Sequence, residues 1–355
     1  MTLNLRFKPV SHSWVALHPK PVGVIQFIGG AFFGTFGPML FYRHLLQYFF
    51  DRSYTLVLFP FDFTFNHYRE AGFLIQEQYR ILPELVRMAT LENYHYSVYL
   101  EDSTYSWMGH SIGCKYIALL EGFNALPENK DERSQFIRDL LIHIPDESYS
   151  ENAIRRVIAD INALIEDISQ EARMSQALIC QYIRQYIKES DRVQQVDSMP
   201  MPVFENLFIR NQPSVLLAPV NSGTSSAIRP KALADLVDKL GLGVRPTPAV
   251  TRALIQKGDF FNLLGLVCFQ SDNIAAATCR WFLEELGKPP EEYQKSLSGG
   301  HLRPLGVPTG DRVFNFFLDK PPLMSISQRN ALLESHINDL YESFKDRCKP
   351  EKLFI

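Results

Sequence analysis

The sequence predicts an α/β protein, in which a mostly parallel sheet is covered by helices. Three observations favour this class. Short apolar runs alternate with longer segments of helical periodicity, a glycine-rich segment follows the first run, and a serine between two glycines follows a later one. Loops at the ends of parallel strands commonly carry reactive groups, so the two glycine segments also indicate where a site would lie.

Apolar runs mark the expected strands. Their near-continuous hydrophobicity is typical of strands buried on both faces by helices. They span residues 22–28, 54–59, 105–110, 214–220 and 264–269.

Helical periodicity marks the segments between these runs. The long segment 68–91, for example, places apolar residues near a 3.6-residue repeat. The expected helices span residues 38–50, 68–91, 112–123, 231–240, 275–286 and 327–344.

The residue pattern changes in the middle of the chain. Residues 129–212 show helical pattern and charge but no strand pattern, so we expect an α/β core of residues 1–128 and 213–355 with a helical insertion between them. Residues around 174–186 are expected to form a second helix that packs on the first as a hairpin. The insertion would be a lid over the site, an oligomer contact or a structural element. The first helix carries a narrow apolar seam, formed by Ile154, Ile158, Ile161, Ile165 and Ile168.

Composition excludes several classes of protein. The 355 residues are 46% hydrophobic and 21% charged, as in ordinary globular proteins, and the net charge of −3 offers no electrostatic basis for binding nucleic acid. No cluster of Cys and His has the spacing of a metal site, and no cofactor is expected. Oligomeric state cannot be predicted.

The scattered cysteines and the lack of a secretory signal indicate a reducing compartment, so we expect a cytoplasmic protein. The five cysteines are Cys114, Cys180, Cys268, Cys279 and Cys348.

One uncharged segment has the length of a membrane span. Residues 22–41 contain no charged side chain, but they include five glycines and a proline. A buried strand that runs into a glycine-rich loop explains this composition better, so no transmembrane span is expected.

The serine motif predicts a nucleophile. Ser111 lies in the pattern G-x-S-x-G between Gly109 and Gly113, at the end of an apolar run and before a helix. In this pattern the serine occupies a sharp strand-to-helix turn, and the glycines allow neighbouring backbone to pass closely. The adjacent His110 is expected to pack at this turn rather than to act as a base.

A serine nucleophile needs a base and an orienting acid further along the chain. His301 follows a Ser-Gly-Gly turn beyond the later strands and is preferred over His336, which lies in a helical pattern. Asp272 directly follows the run 264–269 and is the expected acid, although aspartate there also commonly caps a helix. Asp259 is a weaker alternative.

Two other polar residues receive structural interpretations. Asn221 occupies the alternative acid position after the preceding strand, but it cannot carry the charge. His67 is expected to be a satisfied histidine at a helix start, with pocket lining as the alternative.

The segment FIGGAFFG, residues 27–34, predicts an oxyanion hole. Acyl transfer develops negative charge on a carbonyl oxygen, which preplaced backbone N–H groups stabilise. We expect donors from Gly30 and Ala31 in this loop, and a donor from Ile112 after the nucleophile. A phosphate cradle is disfavoured because no G-K-[ST] follows.

Taken together, these motifs resemble the α/β-hydrolase superfamily. The FIGGAF loop, the GHSIGCK turn at 109–115 and the late Gly-Gly-His turn are similar to a branch found in cyanobacteria and plastids. This resemblance implies an α/β-hydrolase fold with a Ser-His-Asp triad, and cytoplasmic residence. Ile28 stands where the HGGG-type loop has its first histidine, which weakens an analogy with carboxylesterases of that type.

The function expected from the sequence is that of a serine hydrolase. Its substrate would be a small-molecule carboxylic ester or thioester with an apolar acyl part. An acyltransferase on the same fold is the first alternative, and a non-catalytic protein that binds a partner through its pocket or insertion is the second, since one fold hosts many functions.

Overall fold

We describe the protein from a computed structural model. The structure describes residues 4–145, 147–186, 208–209, 212–224, 243–258, 261–318, 322–345 and 347. The expected helix at 231–240, the alternative acid Asp259 and Cys348 lie outside the described residues, as do parts of the expected insertion.

An eight-stranded sheet forms the centre of the fold, with strand order β1-β2-β4-β3-β5-β6-β7-β8. The pairs β1–β2 and β2–β4 are antiparallel. The other six strands, which include β3, are parallel to one another. The strands are β1 Lys8–Val10, β2 Ser13–Ala16, β3 Gly23–Ile28, β4 Tyr54–Leu58, β5 Tyr105–His110, β6 Ser214–Leu217, β7 Leu264–Phe269 and β8 Gln294–Leu297. The predicted mostly parallel sheet is confirmed, and its order is that of the α/β-hydrolase fold.

Helices cover both faces of this sheet. In chain order they are α1 Ala31–Phe36, α2 Pro38–Phe41, α3 Arg43–Phe50, α4 His67–Leu91, α5 Ile112–Phe123, α6 Lys130–Ile142, α7 Glu151–Tyr186, α8 Pro248–Gly258, α9 Ala276–Arg280 and α10 Leu332–Lys345. A small antiparallel sheet stands beside the main one, and its strands are β9 Val307–Thr309, β10 Arg312–Phe316 and β11 Met324–Ser327.

Alternation along β3 shows how the sheet divides the core. Val24 and Ile28 point into the layer formed by α4, α5 and α8, whereas Ile25 and Phe27 point into the layer formed by α3 and α10. This period of two follows from the strand geometry, and all four side chains are fully buried. The two layers hold the ends of the parallel strands in place, and the candidate site lies at those ends.

The helical segment after α6 differs from the prediction. Residues 151–186 form one continuous helix, so the predicted second helix at 174–186 is wrong. Good helix formers join the two parts, and no glycine or proline interrupts them. The division of the chain into a core and an insertion stays a prediction.

The buried face of α7 packs on the core helix α4 and differs in part from the predicted seam. Ile154, Ile161 and Ile168 are buried as expected, but Ile158 and Ile165 are half-buried, and within this span the remaining buried positions are Val157 and Leu164. Leu164 of α7 is so close to Gly72 that a side chain at Gly72 would overlap it. Further along, Glu171 forms an ion pair with Arg80 at 3.1 Å. The two helices therefore run side by side in the same direction, and the buried face of α7 has a partner within the chain.

Smaller departures concern element boundaries. The helix predicted at 38–50 is broken at Tyr42, and the last helix begins at Leu332, because Ser327 ends a strand. The short strands β1, β2 and β8–β11 were not predicted, because each has only three to five residues, too few for a clear strand pattern. The uncharged segment 22–41 forms β3 and the short helices α1 and α2. Across the part of the chain that the structure describes, no helix combines the length and apolarity needed to cross a membrane.

Candidate active site

Ser111 occupies the sharp turn between β5 and α5. Its backbone has φ +57° and ψ −121°, a conformation that side-chain-bearing residues rarely adopt. A side chain at Gly113 would overlap the carbonyl oxygen of Ile28, and one at Gly109 would lie 2.9 Å from the backbone nitrogen of Cys114. The predicted reason for both glycines, a close backbone approach, is confirmed. The turn leaves Ser111 half-buried at the end of the strand.

The structure brings the three predicted triad residues together. The hydroxyl oxygen of Ser111 lies 2.9 Å from Nε2 of His301, and Nδ1 of His301 lies 2.8 Å from Oδ2 of Asp272. His301 and Asp272 are each only 5% exposed. The order hydroxyl, imidazole, carboxylate is the one in which a nucleophile, its base and its orienting acid are linked in acyl transfer.

Asp272 also organises its own loop. Its Oδ1 accepts the backbone N–H groups of Ile274 and Ala275 at 2.8 and 3.0 Å, while Oδ2 faces His301. Burial alone would raise the pKa of Asp272, but the hydrogen bonds from His301 and from Ala275 outweigh it, and the pKa lies below its ordinary value. The carboxyl group is therefore ionised at neutral pH and suited to hold a protonated imidazole.

The competing residues have other surroundings. Asn221 donates its side-chain amide to the carbonyl oxygen of Pro248, and its backbone N–H is donated to Thr278. His336 lies half-buried on α10. Of the described residues weighed as base and acid, the structure brings only His301 and Asp272 into line with Ser111.

The oxyanion loop differs from the prediction at one residue. The N–H of Gly30 is donated to the hydroxyl oxygen of Tyr42 at 2.8 Å, so the predicted Gly30 donor is wrong. Ala31 and Ile112 are the first residues of α1 and α5, and N–H groups in a first helical turn have no partner within their helix. These two N–H groups therefore stay the predicted oxyanion donors.

Gly30 still matters to the site through its size. A side chain at this position would lie 3.3 Å from Cβ of Ser111 and 3.1 Å from Nδ1 of His110. A larger residue at position 30 would therefore crowd the turn that carries Ser111.

His110 is buried at the turn between β5 and α5. Its Nδ1 lies 2.7 Å from the hydroxyl oxygen of Tyr42, and its Nε2 lies 2.9 Å from the backbone oxygen of His301. Burial, with a smaller effect from His301, lowers the pKa of His110 to about 3. His110 packs at the turn as expected, and its ring nitrogens are occupied by these contacts. Tyr42 was missed by the sequence analysis, since a tyrosine in an apolar helical segment looks like an ordinary core residue.

A buried lysine next to the site was also missed. Nζ of Lys115 donates to the carbonyl oxygens of Ser222 and Pro246 at 2.6 and 3.0 Å, which ties the loop after β6 to the segment before α8. Burial lowers the pKa of Lys115 to about 7. His67 is buried nearby, but the prediction that it is satisfied is wrong for Nδ1, which has no hydrogen-bond partner within the described residues.

Exposed aromatic side chains follow the oxyanion loop. Phe32 and Phe36 on α1 are 56% and 65% exposed, and Phe63 in the loop after β4 is 59% exposed. Their rings form a row, with centroids 5.2 Å apart between Phe32 and Phe36 and 5.8 Å apart between Phe36 and Phe63. We call these three residues the aromatic row. It begins one residue after Ala31, the predicted oxyanion donor.

Comparisons with known proteins give distant likenesses. The family model described as "Protein of unknown function (DUF1350)" matches residues 6–130. No curated protein matches the sequence. Among solved structures, the chain is similar to esterase B from Lactobacillus rhamnosis with a tributyrin phosphonate inhibitor, at 10% identity and a TM-score of 0.43, over 94% of this chain and 81% of that one. It is also similar to the esterase Est2 from Thermogutta terrifontis, at 11% identity and a TM-score of 0.36, over 83% of this chain and 81% of that one.

Proposed function

We propose that the protein is a serine hydrolase that cleaves a carboxylic ester or thioester with an apolar acyl part. The observation that carries this proposal is the line of hydrogen bonds from Ser111 through His301 to Asp272, at 2.9 and 2.8 Å. A side-chain set of this geometry, on a strained turn at the end of a parallel strand, is suited to acyl transfer.

In the first half of the reaction, the hydroxyl oxygen of Ser111 attacks the acyl carbonyl carbon, and its proton passes to Nε2 of His301. Asp272 stabilises the resulting imidazolium through Nδ1–H. The carbonyl oxygen becomes an oxyanion, which the N–H groups of Ala31 and Ile112 bind. Collapse of this intermediate breaks the ester or thioester bond, and His301 returns the proton to the leaving oxygen or sulfur.

In the second half, water attacks the acyl-enzyme. His301 takes a proton from the water, and a second oxyanion forms between the same two N–H groups. Its collapse releases the carboxylic acid and returns the proton to the oxygen of Ser111. The cycle uses side chains, backbone and water, and it requires no cofactor.

The aromatic row supports an apolar acyl part. Exposed phenylalanine side chains beside an oxyanion donor offer apolar surface to whatever group extends from the bound carbonyl. A cytoplasmic location belongs to the same proposal. Among the described residues Cys114, Cys180, Cys268 and Cys279 form no disulfide, which is compatible with a reducing compartment.

The proposal is tested by labelling with a fluorophosphonate, which reacts with activated serines. We expect one adduct, on Ser111, and hydrolysis of p-nitrophenyl butyrate that disappears in Ser111→Ala. Ser343→Ala on α10 is the matched control, since its hydroxyl bonds only the backbone of Leu340 in its own helix. Folded protein that gives no adduct, or an adduct on another serine, would refute the assignment.

A further inference from the structure

A buried chain of hydrogen bonds joins three separate parts of the site. The N–H of Gly30 lies 2.8 Å from the hydroxyl oxygen of Tyr42, which lies 2.7 Å from Nδ1 of His110. Nε2 of His110 lies 2.9 Å from the backbone oxygen of His301. Tyr42 is fully buried and His110 is 1% exposed. We call these four groups the relay.

Chemistry determines the direction of every bond in the relay. The backbone oxygen of His301 can only accept, so Nε2 of His110 carries a proton. Because His110 is neutral at ordinary pH, its Nδ1 has a lone pair and accepts the hydroxyl proton of Tyr42. The oxygen of Tyr42 in turn accepts the N–H of Gly30. All donors and acceptors in the relay are thus satisfied in one arrangement.

Three members of the relay belong to, or directly precede, residues of the proposed chemistry. Gly30 precedes Ala31, which supplies an oxyanion donor, and His110 precedes the nucleophile Ser111. His301 is held by its backbone oxygen, on the same residue whose ring is the base.

We propose that Tyr42 and His110 are positioning residues, which hold the oxyanion loop, the nucleophile turn and the base at fixed separations. This inference rests on the proposed hydrolase function. Neither side chain contacts the reacting atoms in the mechanism above. Their effect is on geometry, and acyl transfer is sensitive to displacements on the order of 1 Å.

Simple packing does not explain these two residues. Burying a phenol hydroxyl and an imidazole is unfavourable unless every polar atom is paired, and apolar side chains of similar shape would fill the same space without that requirement. The relay therefore specifies one arrangement of three loops, which packing alone does not.

The first test removes one hydroxyl group. Tyr42→Phe keeps the ring and leaves the N–H of Gly30 and Nδ1 of His110 without their partner. We expect kcat for p-nitrophenyl butyrate to fall about 10- to 100-fold with KM changed less than about threefold, and the rate of fluorophosphonate labelling to fall in parallel. A folded Tyr42→Phe protein with kcat within about twofold of the wild type would overturn the proposal.

Tyr99→Phe is the matched control. Tyr99 is equally buried, and its hydroxyl oxygen lies 2.8 Å from the hydroxyl oxygen of Thr55. Thr55 lies near the amino end of β4, whereas the candidate site lies at the carboxyl ends of the strands. Tyr99→Phe loses one buried hydrogen bond and Tyr42→Phe loses two, so both variants should lose stability. Only Tyr42→Phe should lose turnover, and an equal loss of kcat in both variants would assign the effect to stability alone.

The second test asks whether the two residues act as one unit. His110→Phe removes both nitrogen contacts, while His110→Gln retains an amide donor that can reach the backbone oxygen of His301. We expect His110→Gln to recover part of the turnover that His110→Phe loses. The double variant Tyr42→Phe/His110→Phe should be no slower than the slower single variant, whereas additive losses would contradict a shared relay.

A third measurement is independent of activity and of the variants' folding. Long-range nitrogen–proton NMR spectra of the wild-type protein, with ¹⁵N-labelled histidine, should show His110 as the neutral Nε2–H tautomer at pH 5 to about 8. A protonated ring or the Nδ1–H tautomer in that interval would overturn the relay. Failure of Ser111 to label in wild-type protein would refute the hydrolase function instead, and the tautomer would still report on the relay.

Discussion

Asp272 holds His301 with one carboxylate oxygen and its own loop with the other. Oδ2 accepts Nδ1–H of the imidazole at 2.8 Å, and Oδ1 accepts the backbone N–H groups of Ile274 and Ala275. From the sequence, Asp272 is expected to orient the base, and helix capping is the alternative interpretation of an aspartate at this position. In the structure one carboxylate bonds both the imidazole and the backbone of its own loop, because its two oxygens point in different directions.

Asp272→Asn separates the two roles. The amide oxygen can still accept the two backbone N–H groups, so we expect the folded structure and its thermal midpoint to change little. The amide nitrogen would face Nδ1 of His301 and favour the wrong tautomer, which lowers kcat by about 10⁴-fold in this type of site. Kinetics with p-nitrophenyl butyrate measure the loss. Turnover near the wild-type level would move the acid role to another carboxylate.

The oxyanion donor at Ala31 can be removed without breaking its helix. Ala31 is the first residue of α1, where proline is well tolerated, and Gly30 has the extended conformation that a following proline requires, with φ −74° and ψ 164°. Ala31→Pro deletes the N–H, and we expect kcat to fall by about 10²- to 10³-fold with little change in KM.

Ala31→Ser is the control for that substitution, since it changes the side chain and keeps the N–H. Its kcat should stay within about threefold of the wild type. If Ala31→Pro folds and turns over normally, the second oxyanion donor lies elsewhere.

The aromatic row predicts a preference for longer acyl chains. Replacing Phe32 by Asn removes apolar surface one residue from the oxyanion donor, and each methylene that loses an apolar contact costs about 0.8 kcal/mol. We expect KM for a hexanoyl ester to rise about tenfold, which equals about 1.4 kcal/mol, while KM for the acetyl ester changes little. Leu91→Asn is the control, because Leu91 is similarly exposed, at 54%, at the far end of α4. An unchanged acetyl-to-hexanoyl ratio would remove the row from the acyl site.

The central strands and the triad could be predicted because local sequence carries their signals. Apolar runs without charge mark strands buried on both faces, and loop positions after such runs singled out Asp272. The relay could not be predicted, because Tyr42 and His110 are 68 residues apart in the sequence and come together only when the chain folds. The Gly30 error has the same origin, because the partner that takes its N–H is twelve residues away, at the break between α2 and α3.

The buried face of α7 gives a prediction that distinguishes a packing role of this helix from a role as a lid over the candidate site. Ile168 is fully buried in the contact layer shared with α4, so Ile168→Ala should lower the free energy of unfolding by about 2–5 kcal/mol. Met174 lies on the same helix but is 45% exposed, and Met174→Ala should change stability by less than about 0.5 kcal/mol. Urea unfolding measures both. Unchanged stability of Ile168→Ala together with an altered acyl-length preference would favour the lid interpretation.

Glu121 on α5 gives the last prediction, which concerns pH. The side chain is 9% exposed, and burial raises its pKa from 4.5 to about 8, while the charge of Lys288 opposes part of this rise. Below pH 4.5 the carboxyl group is protonated in both the folded and the unfolded chain, so it has no effect on the pH dependence. Between pH 4.5 and about 8 the unfolded chain has lost the proton that the folded chain keeps, and folding stability therefore falls as pH rises.

Glu121→Gln removes this titration while it preserves size and shape. We expect the unfolding free energy of the wild type, relative to Glu121→Gln, to fall by up to about 1.4 kcal/mol per pH unit between pH 5 and about 8, and to level off above that interval. Urea unfolding at several pH values measures the difference, and the subtraction cancels every other titrating group. A difference that stays constant across this range would show that Glu121 is ionised in the folded protein.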